Sequence, residues 1–518
     1  MIFSSQGTTD SGGCRDEHLQ CDTGSSPRGL GEIRPQTQFC VLARTGYTSQ
    51  LVTSKFLRTL ALLAIYLLIA YLWPPPTGIK PTDWRLFAVF VSTVIGLILQ
   101  PLPGGAVVLI GVIASAVVGG LSIKSALEGY SDPTVWLVMA AFFISRSLLN
   151  TGLARRIGLL FVRAFGHTSL GVTYALALSD VTLATIIPSN GARSGGVTLP
   201  IARSIAELYG SRPGATAGKL GTYLMLAVYQ SICVSAAMFL TGQASNPLAA
   251  QMAGQQGFPV TWSSWFVAGV VPGALSLLVI PRVVMWMAPP EIRLTPEARG
   301  FAADELIKMG PMSSAERILA VIFFAVCGLW ASSGWHKMDI TLTALLGCAA
   351  LLLTGVLTWE DVRTETAAWD IFIWYGGLLR LGRALNDGGV TNAFAQSIGA
   401  MFSDSGWVLL FVVALLIYFY AHYFLASITA HLLAMYPPFL ALLILKGAPL
   451  GLVVFAFACF TNFSAGLTNY GTTPSPMFFA QGYTSMALWW RVGFVCSLVN
   501  IAIWSTFGFG WWKLLGIW

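Results

Sequence analysis

Eight long apolar segments, almost free of charge, constrain this chain more than any other feature of its sequence. They cover residues 56–73, 86–99, 106–121, 135–149, 265–284, 318–329, 342–357 and 408–424. Several approach the roughly 20 residues that a helix needs to cross a hydrocarbon core of ~30 Å. Charged residues make up only 10% of the 518 residues, whereas a soluble domain carries about 25%. The sequence therefore predicts an all-α polytopic membrane protein.

The net charge of +7 is concentrated in short loops between the apolar segments. Because Lys and Arg accumulate in the cytoplasmic loops of membrane proteins, this charge indicates topology rather than nucleic-acid binding. The basic clusters are Arg155, Arg156 and Arg163; Arg203, Arg212 and Lys219; and Arg293, Arg299, Lys308 and Arg317. If all three are cytoplasmic, residues 170–208 enter and leave on the same side, as a re-entrant hairpin. The same orientation predicts a cytoplasmic N-terminus in a bacterial inner membrane.

Three features of the first half recur in the second half at nearly constant spacing. Asn-Thr-Gly at 150–152 is matched by Asn-Asp-Gly at 386–388, and Ser-Asn-Gly-Ala-Arg at 189–193 by Ser-Ile-Thr-Ala-His at 427–431. Each is followed by a span interrupted by Gly, Thr and Pro, at 241–247 and at 470–476. Inverted repeats with interrupted helices are typical of secondary transporters, which bind substrate at the repeat interface. We therefore expect a second hairpin at 407–445 that enters from the opposite side.

These patterns predict about eleven spans and two re-entrant hairpins, arranged in an inverted repeat. Residues 1–55 are polar and are interpreted as a disordered cytoplasmic extension or a mis-assigned start. The remaining divisions are scaffold helices at 56–130, a first repeat at 131–260, scaffold helices at 261–366 with a cytoplasmic loop at 286–316, a second repeat at 367–483 and a C-terminal span at 484–518.

Polar residues at the hairpin tips and interruptions are the candidate anion-binding residues. Backbone that leaves the helix at membrane depth is tolerated only where it is buried in protein or lines a wet cavity. Ser and Asn are favoured helix N-caps, and the free N–H groups at a helix N-terminus suit an anion. The candidates are Ser189, Asn190, Ser245 and Asn246 from the first half, and Ser427, Thr429, Thr472 and Thr473 from the second.

Two basic residues lie four positions after the hairpin serines, Arg193 and His431. Arginine stays protonated and is costly in lipid, so it needs a partner. A substrate carboxylate is one candidate, and Asp180 on the other arm of the same hairpin is the rival. His431 is either a second positive group for the anion or a neutral hydrogen-bonding group.

Four strings support a family resemblance. They are PSNGARSGGVTLPI at 188–201, PPEIRLTPEA…MGPM at 289–312, HYFLASITAH at 422–431 and LTNYGTTPSPMFFAQGY at 467–483. From about Lys80 to the C-terminus the chain resembles the divalent anion:sodium symporter family, and within it the citrate/succinate antiporters and plastid 2-oxoglutarate/malate translocators. The resemblance implies a dimeric scaffold, a transport domain that moves as an elevator, and a substrate held by two hairpin-tip Ser-Asn-Thr motifs and the Thr/Pro breaks.

Carried over, Ser189, Asn190 and Gly191 match the first motif, and Ser427, Ile428 and Thr429 match the second. Pro474 belongs to the second break. Gly191 stands where the family has Thr, and Ile428 where sodium-coupled members have an Asn that serves both the substrate and the ion.

Because isoleucine offers no oxygen to a hard cation, the second departure disfavours sodium coupling. A weak sodium site near Ser189, Asn190 and Gly242 remains open, and we expect no other metal and no cofactor. As a hypothesis, Arg193 and His431 replace the positive charge that sodium otherwise brings.

The function predicted first is therefore sodium-independent exchange of small di- or tricarboxylates of the 2-oxoglutarate, malate, succinate and citrate class by a homodimer. A sodium- or proton-coupled symporter is the runner-up. A membrane-embedded enzyme is disfavoured because the five His residues show no metal-ligand spacing. A channel is disfavoured because it would not need two symmetric half-sites with capping residues.

Overall fold

The computed structural model describes residues 55–401 and 406–518. The predicted N-terminal extension lies outside the described residues, apart from Lys55. The regular elements are helices, and ten of them are long and apolar enough to cross a membrane. The second hairpin contributes two of these ten, Ile428–Leu445 and Trp407–Phe424, the latter including the turn Ala421–Phe424. The prediction of an all-α polytopic membrane protein is confirmed.

The first half of the described chain contains twelve α-helices. They are α1 (Lys55–Leu72), α2 (Pro81–Leu99), α3 (Gly104–Val117), α4 (Ile123–Leu127), α5 (Pro133–Asn150), α6 (Leu153–Phe165), α7 (Ser169–Ala184), α8 (Asn190–Arg193), α9 (Leu199–Leu208), α10 (Gly221–Met238), α11 (Ser245–Gln255) and α12 (Trp262–Met287). A π-helical turn, Ser194–Thr198, joins α8 to α9.

The second half begins after α13 (Pro296–Met309), which lies in the long polar connection. Its helices are α14 (Ser314–Ala331), α15 (Ser333–His336), α16 (Ile340–Leu353), α17 (Trp359–Thr364), α18 (Thr366–Asp387), α19 (Val390–Met401), α20 (Trp407–Tyr420), α21 (Ile428–Leu445), α22 (Leu450–Ser464), α23 (Pro474–Phe479), α24 (Met486–Ile503) and α25 (Phe509–Leu514).

Local sequence signals set several of these boundaries. The Asp132 side chain accepts a hydrogen bond from the backbone N–H of Thr134, and Pro133 occupies the first position of α5. Proline suits that position because the first helical N–H groups have no partner within the helix. A capping box between Ser313 and Glu316 starts α14 in the same way.

The two halves pack on each other reciprocally. Helix α3 of the first half packs on α18 of the second, and α16 of the second packs on α5 of the first. Two ion pairs are reciprocal in the same way. Arg146 near the end of α5 pairs with Glu365 before α18, and Arg383 near the end of α18 pairs with Asp132 before α5. This reciprocity is the arrangement expected of a two-fold repeat.

Each half contains a hairpin followed by a broken helix. The first hairpin turns at residues 185–189 between α7 and α8, and the second at residues 421–427 between α20 and α21. Helix α10 is interrupted before α11 at residues 239–244, and α22 before α23 at residues 465–473. These are the four interruptions that the sequence predicts, and they position the candidate site.

Candidate functional site

Each hairpin tip is built on a serine that caps the helix following it. Ser189 and Ser427 have extended backbone conformations, and their Oγ atoms accept hydrogen bonds from the backbone N–H groups of Ala192 (3.1 Å) and Ala430 (3.3 Å). The predicted capping role of both serines is confirmed. Each tip thereby places the start of a helix in the protein interior.

The two tips and the second helix break face one cavity of about 570 Å³, here called the tip cavity. The volume lies in the range of small-molecule sites, which is about 300–1,000 Å³. Its polar lining residues are Gln100, Ser189, Asn190, Gln243, Asp370, Ser427, Thr429, Tyr470, Thr472 and Thr473. Six residues that the sequence nominates are therefore brought together: Ser189, Asn190, Ser427, Thr429, Thr472 and Thr473.

A direct hydrogen bond links the two halves across the tip cavity. The Asn190 side-chain amide donates to Thr472 Oγ1 at 3.1 Å, and both residues are buried. The bond leaves the Asn190 carbonyl oxygen, its second N–H and the Thr472 hydroxyl proton for other partners. The first hairpin tip and the second helix break thus present donors to the same space.

Gly191 lies at a close approach between the two halves and does not line the tip cavity. A Cβ atom at this position would lie 2.7 Å from Cγ2 of Thr473. A threonine at 191 would therefore collide with Thr473.

Three other nominated residues lie at the helix breaks and do not line the tip cavity. The Asn246 amide donates to the carbonyls of Ala236 (2.8 Å) and Phe239 (2.9 Å), which the end of α10 leaves without helical partners. Ser245 is buried beside it, and its Oγ has no hydrogen-bond partner among the described residues. Pro474 is buried at the first position of α23. None of the three is among the residues that line the tip cavity, and their direct contact with an anion stays a prediction.

Arg193 does not face the tip cavity, which corrects the expectation that it contacts the substrate. Its Nε donates to Asp180 Oδ1 at 2.9 Å, and both side chains are 0% exposed. Its Nη1 donates to the carbonyls of Ile187 (2.6 Å) and Gly242 (2.8 Å). The rival interpretation, an ion pair with Asp180, is the correct one, because a buried guanidinium needs a counter-charge.

His431 is also buried and is not among the residues that line the tip cavity, so its role as a positive group for the anion stays a prediction. Its Nδ1 lies 3.1 Å from Nδ1 of His422, and its ring packs against Tyr418 in a tilted arrangement, with centroids 4.3 Å apart. The alternative of a hydrogen-bonding histidine fits this geometry.

Asp370, which is not among the residues nominated from the sequence, reaches the tip cavity from α18. Apart from Tyr470, it is the one ionisable side chain among the described residues that line this cavity. An acidic residue between apolar stretches is a functional candidate by default in a membrane protein, and that rule would have selected it.

The described residues hold no group of three or more His, Cys, Asp or Glu that could bind a metal ion. Near the sodium site left open by the sequence, the Gly242 carbonyl already accepts from Arg193.

The chain is similar to known membrane transporters over most of its length. YflS of Bacillus subtilis (strain 168), provisionally named a malate transporter, is 42% identical over 466 residues, or 90% of this chain and 97% of YflS. Dicarboxylate transporter 1, chloroplastic, of Arabidopsis thaliana is 40% identical over 87% of this chain and 82% of its own length. Inner membrane protein YbhI of Escherichia coli (strain K12) is 34% identical over 89% and 98%. The family model described as the sodium:sulfate symporter transmembrane region matches residues 53–518, and the chain therefore belongs to this family of membrane transporters, the divalent anion:sodium symporters.

Proposed function

We propose that the protein carries small dicarboxylates of the malate, succinate and 2-oxoglutarate class, with citrate as a larger candidate, across the membrane. The observation that supports this most is the convergence of both hairpin tips and the second helix break on the tip cavity. A dicarboxylate has an acceptor group at each end, and the tip cavity offers neutral donors from both halves of the fold. Relatives named for malate and dicarboxylate transport agree with this substrate class.

We further propose that transport is an exchange that does not need sodium. Ile428 offers no oxygen at the second tip. In the first half, the carbonyls of Ile187 at the tip and Gly242 at the helix break accept hydrogen bonds from Arg193. A fixed guanidinium therefore occupies oxygens that a sodium ion would otherwise coordinate. The role first expected of Arg193 is thereby changed: its charge is neutralised by Asp180 and it acts on the backbone rather than on the substrate.

A cation-coupled symporter remains the second candidate, and one observation favours it. Among the described residues that line the tip cavity there is no Lys, Arg or His. A dianion entering this space without a counter-ion would depend on hydrogen bonds and the N-terminal ends of the hairpin helices alone. A bound sodium ion or proton would supply the missing charge.

The wider organisation proposed with this function is the scaffold and repeat division given above, a homodimer, and an elevator-like movement of the hairpins and broken helices against the scaffold. The bacterial inner membrane, with the N-terminus in the cytoplasm, is the proposed location. The name of the Escherichia coli relative agrees with this membrane.

Counterflow in proteoliposomes tests the substrate class. Vesicles containing the purified protein are loaded with one unlabelled carboxylate from a panel, and uptake of labelled malate is followed. We expect saturable uptake that is accelerated by internal malate, succinate or 2-oxoglutarate and is unaffected by internal sulfate or monocarboxylates. Equal acceleration by sulfate would contradict the proposal.

A further inference from the structure

Two buried imidazoles lie beneath the second hairpin tip and form a hydrogen-bonded chain. His422, on the turn Ala421–Phe424, and His431, on α21, face each other through their Nδ1 atoms at 3.1 Å. The Nε2 atom of His422 lies 2.8 Å from the backbone carbonyl oxygen of Gly471. Both histidines are 0% exposed. These hydrogen-bonded histidines therefore connect the hairpin turn and the arm that follows it to the second helix break.

The partners determine which nitrogen carries each proton. A carbonyl oxygen only accepts, so His422 Nε2 must carry hydrogen and donate to Gly471. In a neutral ring this leaves His422 Nδ1 as an acceptor, so His431 Nδ1 must be the donor. The ion pairs formed by the described residues include neither histidine, and a buried cation without a carboxylate is costly. The chain of donors thus runs in one direction, from His431 through His422 to Gly471.

The Gly471 carbonyl belongs to the peptide group that carries Thr472 into the tip cavity. On the other side of this peptide, the Thr472 N–H donates to Ser475 Oγ at 3.1 Å. The Thr472 hydroxyl in turn accepts from Asn190. With its carbonyl and its N–H both bonded, the peptide plane is held on both sides, and the Asn190 bond then holds the Thr472 hydroxyl at the tip cavity.

In the first half, a charged pair holds the backbone carbonyl at the helix break. Arg193 precedes its repeat counterpart His431 by 238 residues, and Gly242 precedes Gly471 by 229. Arg193 Nη1 donates to the Gly242 carbonyl at 2.8 Å, as His422 does to Gly471. A buried side chain beneath each tip therefore holds the carbonyl of the helix break in its own half.

We propose that His422 and His431 are a positioning pair for the anion site: His422 fixes the Gly471–Thr472 peptide, and His431 fixes the ring orientation and proton position of His422. Neither imidazole contacts the substrate. The part of this inference that concerns anion affinity rests on the proposed function, whereas the part that concerns the peptide does not.

Four variants of the full-length protein separate the roles of the two rings. His422→Phe removes both hydrogen bonds, while His422→Gln keeps a donor for Gly471. His431→Phe removes the donor to His422, while His431→Asn keeps one near the position of Nδ1. His167→Phe, at an exposed histidine, is the matched control.

Malate exchange in proteoliposomes gives the first measurement. We expect His422→Phe to raise KM about 10-fold, the effect of one lost or misplaced hydrogen bond to a charged ligand, with a smaller change in maximal rate. His431→Phe should raise KM less. His422→Gln and His431→Asn each retain the hydrogen bond, so their KM should stay within about twofold of the wild type. The control, His167→Phe, should also stay within about twofold. Equal KM values for His422→Phe and wild type would overturn the proposal, as would equal losses in His422→Phe and His422→Gln.

Hydrogen exchange of the segment that contains Gly471 and Thr472 gives a second measurement, which needs no substrate. We expect faster amide exchange there in His422→Phe, wild-type rates in His422→Gln, and unchanged α10 in both. If the wild-type protein transports no dicarboxylate, the proposed function fails. The positioning role of the two histidines is then tested by amide hydrogen exchange alone. An unchanged rate of amide hydrogen exchange at Thr472 in a folded His422→Phe protein would overturn the proposed positioning role.

Discussion

The guanidinium of Arg193 and the carboxylate of Asp180 form a completely buried ion pair, with Nε and Oδ1 2.9 Å apart. The two residues lie on opposite arms of the first hairpin, and the same guanidinium bonds the carbonyls of Ile187 at the tip and Gly242 at the helix break. The pair therefore joins three segments that surround the tip cavity without entering it.

Removing one member of this pair should destabilise the protein rather than only weaken substrate binding. Arg193→Ala leaves the Asp180 carboxylate buried without its partner, and breaking a buried pair costs about 3–5 kcal/mol. We expect a large fall in the thermal unfolding temperature of the purified protein. The double variant Arg193→Met with Asp180→Leu should recover much of this loss, since it buries no charge.

A folded Arg193→Ala protein of wild-type stability that no longer transports would contradict this interpretation. It would mean that the guanidinium serves the substrate after all.

The donors that line the tip cavity should determine affinity. Asn190→Ala and Thr472→Ala each remove a group positioned by the bond between these two side chains. A hydrogen bond to a charged partner contributes ~1.5–3 kcal/mol, so KM for malate exchange should rise about 10- to 150-fold. Asn392→Ala, on an exposed face of α19, is the control and should leave KM unchanged. Near-normal KM in both cavity variants would show that the substrate binds elsewhere.

The contact between Gly191 and Thr473 predicts a strong effect of a small substitution. In Gly191→Ala the added methyl group would lie 2.7 Å from Thr473 Cγ2, which forces the hairpin tip and the helix break apart. We expect weaker malate binding, measured as a raised KM. The matched control is Gly254→Ala in α11, where an added Cβ meets no atom within 4 Å and alanine favours the helix. Similar behaviour of the two variants would argue against the packing of Gly191 described here.

Asp370 should oppose anion binding from its position on α18 at the tip cavity. Its carboxylate carries the same sign of charge as the proposed substrate, and like charges repel. Asp370→Asn should therefore lower KM for dianions by several-fold, whereas Asp304→Asn, on exposed α13, should not. A raised KM in Asp370→Asn would instead indicate that this carboxylate accepts a hydrogen bond from the substrate.

The connection between α13 and the first repeat should weaken in acid. A hydrogen bond from Tyr209 (2.5 Å) lowers the pKa of Glu297, and one from Lys308 (2.7 Å) lowers the pKa of Glu305, which also pairs with Arg155. A carboxyl whose pKa is lowered on folding stabilises the folded state above its unfolded value, about 4.3 for Glu, and the contribution is lost as the pH falls through the folded value. Hydrogen exchange of α13 should therefore become faster below about pH 4, relative to its intrinsic pH dependence, while that of α10 should not. Equal protection of both helices at low pH would contradict this.

Features that depend on local chemistry were predictable from the sequence. Ser189 and Ser427 cap the hairpin helices because a hydroxyl two or three residues before a free N–H bonds it wherever the helix is placed. The helix breaks at residues 239–244 and 465–473 were also predictable, because they occur where Gly, Pro and Thr interrupt apolar spans.

Features that depend on the approach of distant segments were not predictable. The choice between substrate and Asp180 as the partner of Arg193 is decided by how the two hairpin arms pack. His422 lies in a recognised string, but only the position of Gly471, 49 residues later, gives it a partner. Asp370 enters the tip cavity because α18 of the second half packs on α3 of the first, which no sequence period records.

Dicarboxylate exchange without sodium can be distinguished from symport by comparing uptake into empty vesicles with uptake into loaded ones. Labelled malate uptake would be measured in proteoliposomes that are empty or loaded with 2-oxoglutarate, each with an inward sodium gradient and with choline in its place. We predict rapid uptake only into loaded vesicles, at equal rates in sodium and in choline. Uptake into empty vesicles that is driven by the sodium gradient would contradict the account and establish the symporter.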